Sequence, residues 1–445
     1  MRLPWYFASI FLVTAIPSSA GILISSPGGS AATMNFTTFA TGLSFAIGMT
    51  SLPSGNVIVG TTTRPASVSA SFENYFYGSG KVLKFADANN DGVADGPAQV
   101  IYSAAGAVTG VASAGDFLVV STTGAGSAAA ANRQDLLILA PSGGGNFTSL
   151  GSLRLDMPNP YNNMTVASAA AGGGSYYVYF HVASGTHEGA AGPDVSVTGL
   201  LNGTVQGGSI YRITVDPSNA AVPVSGLTQI ARGIRNLGGM NVAANGDLFF
   251  TDNGWDINLA AVSADELNRV PAASLGGSVI DFGYASNYID YNTGLATGSN
   301  GLAPVVAFIP SGGKQRIGIS GSAEAPGSFP VEMQDGEFVS FHGDFYRSGV
   351  NNVLNPVVFY SRATNTYFDL VAAGQAGLGN IDSLMSTNNA LFLADFTSGV
   401  AFQPDTGIIY RLAPASIPEP STAVLVFVAL AAISRRVKLR NYSAF

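Results

Sequence analysis

One pattern returns six times along this chain of 445 residues: an apolar run of strand-like composition, a tight turn rich in Gly, Asn, Asp or Ser, and a second apolar run. The paired runs are 48–52 with 57–59, 111–112 with 117–121, 164–166 with 176–182, 240–243 with 248–250, a fifth ending in 337–341, and 384–386 with 391–393. A third run trails several of them, at 81–85, 135–139, 209–213 and 407–412. Such a unit cannot bury both of its faces alone, so repetition at spacings of roughly 55 to 90 residues points to small sheets packed around an axis. The expectation is an all-β chain folded as a six-bladed β-propeller, with the longer gaps forming loops on its working face. A pair of β-sandwiches would explain the strands but not their sixfold return.

Composition agrees with many short strands and tight turns. No long stretch carries helical periodicity, 47% of residues are hydrophobic, only 10% are charged, and there are 55 glycines. The absence of cysteine excludes disulfides, thiolate metal sites and a cysteine nucleophile, so stability must come from the core.

The two ends read as addresses. Arg2, an apolar run over 5–16 and the small residues of 17–20 form a secretory signal, too short for a spanning helix. At the other end Pro418-Glu419-Pro420 precedes an eleven-residue apolar stretch, 423–433, closed by Arg435, Arg436, Lys438 and Arg440. This resembles a PEP-CTERM sorting signal; an ordinary transmembrane helix is the plainer reading, though eleven residues are few for a span. The resemblance implies an exosortase-type sorting enzyme as partner, only transient membrane contact through this segment, and delivery to the cell envelope or exterior of a Gram-negative bacterium. The expected division is a signal peptide at 1–20, the propeller at 21–416 and a sorting helix at 417–445.

Between the signals, residues 21–417 carry 14 basic and 26 acidic groups, a net charge of -12. Such a surface repels nucleic acid and suits divalent cations or neutral sugars. Asp87-Ala88-Asn89-Asn90-Asp91-Gly92-Val93-Ala94-Asp95 matches a calcium-loop pattern: Asp87, Asn89, Asp91, Asp95 and the Val93 carbonyl would surround one hard cation, with Gly92 permitting the sharp turn. The closing glutamate of an EF-hand is missing, since that position is Ala98. An Asn/Asp turn between two strands is the plainer alternative, and a calcium here would be structural.

Three segments in order, residues 230–240, 245–255 and 264–270, resemble the glucose/sorbosone dehydrogenase family of quinoprotein propellers, and 338–347 is similar to the same family. The resemblance spans roughly residues 40 to 413. It implies that Arg235 and Asn236 face pyrroloquinoline quinone (PQQ), and that backbone at Gly254 and Trp255 helps hold the cofactor's calcium. The residue types suit those roles, because a guanidinium forks onto carboxylate or quinone oxygens, a carboxamide donates and accepts, and carbonyl oxygens suit calcium. Bracing of loops is the competing role for Arg235 and Asn236, as for Asp265, Glu266 and Asn268.

The departures from the family matter as much. Its sugar-oxidising base is a histidine in the loop before the third-blade strand, and here 157–164 contains none. Neither Asn nor Tyr replaces that base near neutral pH. His181 and His187 follow, with no spacing argument in their favour, and His342 is the remaining candidate for a catalytic role, against a structural one. No cation stands in 377–382 to bind the cofactor's carboxylates, which leaves Lys314, Arg316 and Arg347. Two functions therefore stay open: calcium-dependent oxidation of a sugar or alcohol, or a non-catalytic propeller binding carbohydrate or extracellular matrix. A lactonase-type metal hydrolase is a more distant third.

Overall fold

A computed structural model of the chain describes residues 22–415, apart from 28, 65–74, 125–132, 157–163, 186–191, 220, 222, 258–259, 285, 311–315, 345–346, 348 and 398–402. The two terminal segments read from sequence as signals lie outside the described residues. What is described is strand, turn and a few single-turn 3₁₀ segments.

Six antiparallel sheets form the blades of a propeller. Blade 1 contains Ala46–Ser51, Val57–Thr63, Ser79–Phe85 and Gln99–Ala104. Blade 2 contains Val108–Ala114, Phe117–Thr123, Arg133–Pro141 and Phe147–Asp156, and carries an added outer hairpin, Asp194–Gly199 with Gly203–Gln206. Blade 3 contains Val166–Gly172, Ser175–Val182, Ser209–Val215 and Val224–Arg232, extended by the short parallel strand Ile280–Asp281. Blade 4 contains Leu237–Val242, Leu248–Asp252, Asp265–Val270 and Val306–Phe308, and blade 5 contains Ile319–Glu324, Gly336–Phe341, Val357–Ser361 and Thr366–Val371. Blade 6 takes three strands from the C-terminal part, Ile381–Ser386, Leu391–Asp395 and Gly407–Pro414, and its outermost strand, Met34–Leu43, from the N-terminal part. That last pairing, with Met34 opposite Pro414 and Thr38 opposite Tyr410, closes the ring.

The repeat predicted from sequence is thus the inner strand pair of each blade. Asp265, Glu266 and Asn268, read from sequence as residues that brace loops, belong to the third strand of blade 4. Acidic and amide residues obscured a strand whose Leu267 and Val270 are fully buried.

Between adjacent blades lies an apolar layer, and there are six such layers. Val82 and Ile101 meet Leu118 and Val120 between blades 1 and 2, for example, and Phe249 and Leu267 meet Val339 and Phe341 between blades 4 and 5. Every layer needs the blade on each side of it, which is why the fold requires the full ring.

Toward the axis the packing becomes backbone on backbone. A Cβ on Gly239 would lie 2.4 Å from the Ser322 nitrogen, and one on Gly48, itself at φ +78°, would lie 2.9 Å from the Gly110 Cα. Hydroxyls stitch successive seams: Thr62 donates to the Val108 carbonyl at 3.2 Å, Ser121 to Met164 at 2.6 Å, Thr165 to Leu237 at 3.2 Å, Thr251 to Ser320 at 2.7 Å and Ser320 to Ile381 at 2.5 Å. The central channel, lined by all six inner strands, is therefore narrow, with about 50 Å³ of free space. That holds a few waters and no cofactor.

Candidate functional site

Inner strands begin, and second strands end, at the same mouth of the channel. Near the end of its second strand blade 3 places His181 there, buried beside the entrance to blade 4. The Thr165 backbone N–H donates to His181 Nδ1 at 3.1 Å, so the ring proton resides on Nε2. Burial pushes the imidazole pKa down to about 4, with the neighbouring Asn236 carboxamide acting in the opposite direction as a hydrogen-bond partner, and the ring is neutral near pH 7. His181 Nε2 and Asn236 Oδ1 are both buried and face each other as donor and acceptor, in a contact too loose to be a well-formed hydrogen bond, and neither has another partner among the described residues. A donor and an acceptor thus stand side by side, only loosely paired.

Asp252 holds the other half of this corner. It ends the second strand of blade 4, and its carboxylate accepts the backbone N–H groups of Arg235 at 3.1 Å and of Asn236 at 2.8 Å. The sequence 235–236 is in this way clamped at the blade entrance. Burial raises the Asp252 pKa to about 6, against the pull of those N–H groups and of Arg235. Glu266, across the adjoining small cavity, is raised to about 8, first by burial and then by the neighbouring Asp252 charge. Asp265 braces backbone, accepting from Gly254 N at 2.7 Å and from Ile319 N at 2.9 Å.

The carbonyls expected to hold calcium are engaged. Arg235 donates its guanidinium to the Gly254 oxygen, and the Trp255 oxygen accepts from Val262 N at 2.8 Å and Ser263 N at 3.3 Å. A cation already bonded to Gly254 O disfavours a divalent ion on the same oxygen.

His342 stands across the mouth, where its Nδ1 lies 3.1 Å from Asp382 Oδ1. Burial raises the Asp382 carboxyl, and His342 offsets this in part. The other ring edge packs against Gly318, where a Cβ would lie 2.4 Å from Nε2. Its carbonyl accepts from Asn352 at 2.9 Å and Asn380 at 2.8 Å. That geometry braces the seam between blades 5 and 6.

The remaining candidate cations are paired. Arg316, buried, meets Asp369 at 2.6 Å and lies over the Tyr367 ring, while Arg347 is largely exposed and meets Asp344 at 3.1 Å. His187, Lys314 and the 157–163 loop lie outside the described residues.

Asp87 to Asp95 sits far from this corner, in the turn between the third and fourth strands of blade 1. Its oxygens are turned onto its own backbone: Asp95 accepts from Ala88 N at 2.6 Å, Asp91 from Val93 N at 2.8 Å and Asn89 from Asp91 N at 3.0 Å. Asp87 Oδ2 accepts from Gly92 N at 3.1 Å, and its buried Oδ1 has no partner. The loop also crosses the closing seam, where Ala94 N donates to Phe39 O at 3.0 Å. Among the described residues no group of three or more His, Asp or Glu side chains is arranged to hold a metal ion.

PQQ carries three carboxylates. The described mouth offers it Arg235, already bonded, amid Asp252, Glu266, Asp382 and Asp395, and both expected calcium carbonyls are engaged. These residues do not fit a calcium–quinone pair. They fit a neutral group that both donates and accepts a hydrogen bond.

No protein-family model matches the chain, and no curated protein matches it. Solved structures do resemble it. The PQQ-bound aldose sugar dehydrogenase of Streptomyces coelicolor aligns with a TM-score of 0.50 and 15% identity, over 85% of this chain and 98% of that one. The PQQ domain of pyranose dehydrogenase from Coprinopsis cinerea gives 0.49 and 14%, over 88% and 97%. A calcium structure of an AA12 carbohydrate-active enzyme from Trichoderma reesei gives 0.48 and 14%, over 88% and 97%. The first of these likenesses shows a shared six-bladed propeller fold.

Proposed function

We propose that this chain is an exported propeller that binds a hydroxyl-rich neutral ligand, a sugar or polyol, at the corner formed by His181, Asn236 and Arg235, and that it does not oxidise it. The observation that supports the reading is the buried, loosely paired donor and acceptor of His181 Nε2–H and Asn236 Oδ1. A hydroxyl is the group that answers both at once, since it accepts from one and donates to the other. The acidic mature surface disfavours anionic ligands. The terminal motifs support delivery by an exosortase-type enzyme to a Gram-negative cell envelope, where polysaccharide is abundant, and a structural calcium in the Asp87 loop accords with that setting. Calorimetric titration with a panel of monosaccharides and polyols tests this: binding weakened at least tenfold by Asn236→Ala supports it, and silence across the panel sinks it.

Quinoprotein oxidation of a sugar or alcohol is the second reading, favoured by the fold likeness and by the seat of Arg235 and Asn236 at the fourth-blade mouth. Cations beyond the described residues, Lys314 among them, would have to hold the cofactor. Titration with PQQ and calcium, followed by dye reduction over the same panel, separates it from the first.

A further inference from the structure

A second cavity, larger than the channel, lies off the axis. About 380 Å³ of free space lies between blades 3 and 4, lined by Gln206, Arg232, Asp281, Tyr284, Ser286 and Asn300 over a glycine floor. This is within the ~300–1,000 Å³ typical of small-ligand sites, and several-fold larger than the channel itself. The parts added to the plain four-stranded blades build it. Gln206 ends the extra hairpin of blade 2, Asp281 lies on the parallel strand added to blade 3, and Tyr284, Ser286 and Asn300 come from the long connection between the third and fourth strands of blade 4. The floor must be glycine: a Cβ on Gly233 would lie 2.4 Å from Asp281 Oδ1, and one on Gly192 would lie 2.3 Å from the Gly207 carbonyl carbon.

Gly233 and Tyr284 also line the small cavity that holds Asp252 and Gly254, so the two spaces adjoin, and Asp252 in the second is the residue that clamps the backbone of Arg235 and Asn236. We infer that this groove is a subsite for the further units of a neutral oligosaccharide whose terminal unit occupies the mouth. The inference rests on the hydroxyl-binding reading of that mouth and extends it from a single sugar to a chain. The wall has the matching chemistry: Gln206 and Asn300 are carboxamides, each able to donate to and accept from a sugar hydroxyl, and Tyr284 at the junction contributes an aromatic ring. Among the described lining residues the cation is Arg232, paired with Asp281 at 2.9 Å, which disfavours phosphate and acidic polymers.

Titration of the full-length protein with cello- and malto-oligosaccharides of one to four units tests it. In one of the two series, affinity should rise at least tenfold from one unit to three. The double variant Gln206→Ala/Asn300→Ala, and independently Ser286→Trp, which plugs the groove from an exposed position, should abolish the rise and leave affinity for the single sugar within twofold. Single-sugar binding without a rise, or a rise that both variants leave intact, overturns the groove and spares the mouth. A rise lost in Ser286→Trp but untouched by Asn236→Ala keeps the groove and overturns the mouth. Silence across both series overturns both.

Discussion

His181 and Asn236, from different blades and separated by 54 residues of chain, place a buried donor and a buried acceptor side by side at the channel mouth. The proton arrangement of His181 follows from its contact with Thr165, and it is open to measurement. Nitrogen-detected NMR should find the Nε2–H tautomer with a pKa near 4. Because the folded value is below the free value of about 6.5, the unfolded chain takes up a proton first as pH falls. The stabilisation is complete above about pH 6.5 and is lost progressively toward pH 4, by on the order of 3 kcal/mol. The difference between wild type and His181→Gln should shrink over that window. An imidazole that titrates near 6.5 contradicts the buried, neutral assignment.

Asp252 clamps the backbone of Arg235 and Asn236. Asp252→Ala leaves two N–H groups without an acceptor, which costs about 2–3 kcal/mol of stability and loosens the corner. Denaturant titration should record that loss, with sugar binding falling in parallel. Unchanged binding in a folded Asp252→Ala variant would show that the corner does not need the clamp.

The seam hydroxyls give a smaller and more uniform effect. Ser121→Ala and Thr251→Val each remove a buried donor to the neighbouring blade and leave a carbonyl short of a partner. Each should lower stability by about 1–2 kcal/mol, and because the two seams share no partner the losses should add. Denaturation midpoints of the single and double variants check this.

The Asp87 loop crosses the seam closed by Met34–Leu43. A calcium ion there should raise the melting temperature of wild type and not of Asp91→Ala, since binding to the native state alone stabilises it by mass action. Equal melting temperatures with calcium and with chelator remove the loop from consideration as a metal site.

The inner strand pairs were legible in the sequence because their faces are apolar on both sides, as expected of strands sandwiched between blades; all five residues of Leu248–Asp252 are buried. The closing strand Met34–Leu43 escaped notice because it is outermost and half exposed, so its apolar residues follow no clean alternation. Asp265–Val270 was obscured by its polar residues, although Asp265 does brace backbone as the sequence suggested. At the site, Arg235 and Asn236 were visible through a motif, whereas His181 carried no spacing signal, because its partner lies across a blade seam. Asp252 had left a trace: a carboxylate ending an otherwise apolar strand needs a buried partner. The pairing of His342 with Asp382 likewise crosses a seam, and no local pattern announces it.

The central claim is that the mouth receives a neutral hydroxyl and not a quinone. Parallel titrations of the full-length protein, one with the sugar and polyol panel and one with PQQ plus calcium followed by dye reduction, test it most directly. The account predicts saturable sugar binding that Asn236→Ala weakens at least tenfold, with no cofactor absorbance retained after gel filtration and no dye reduction. Stoichiometric PQQ retention with sugar-dependent dye reduction would contradict it.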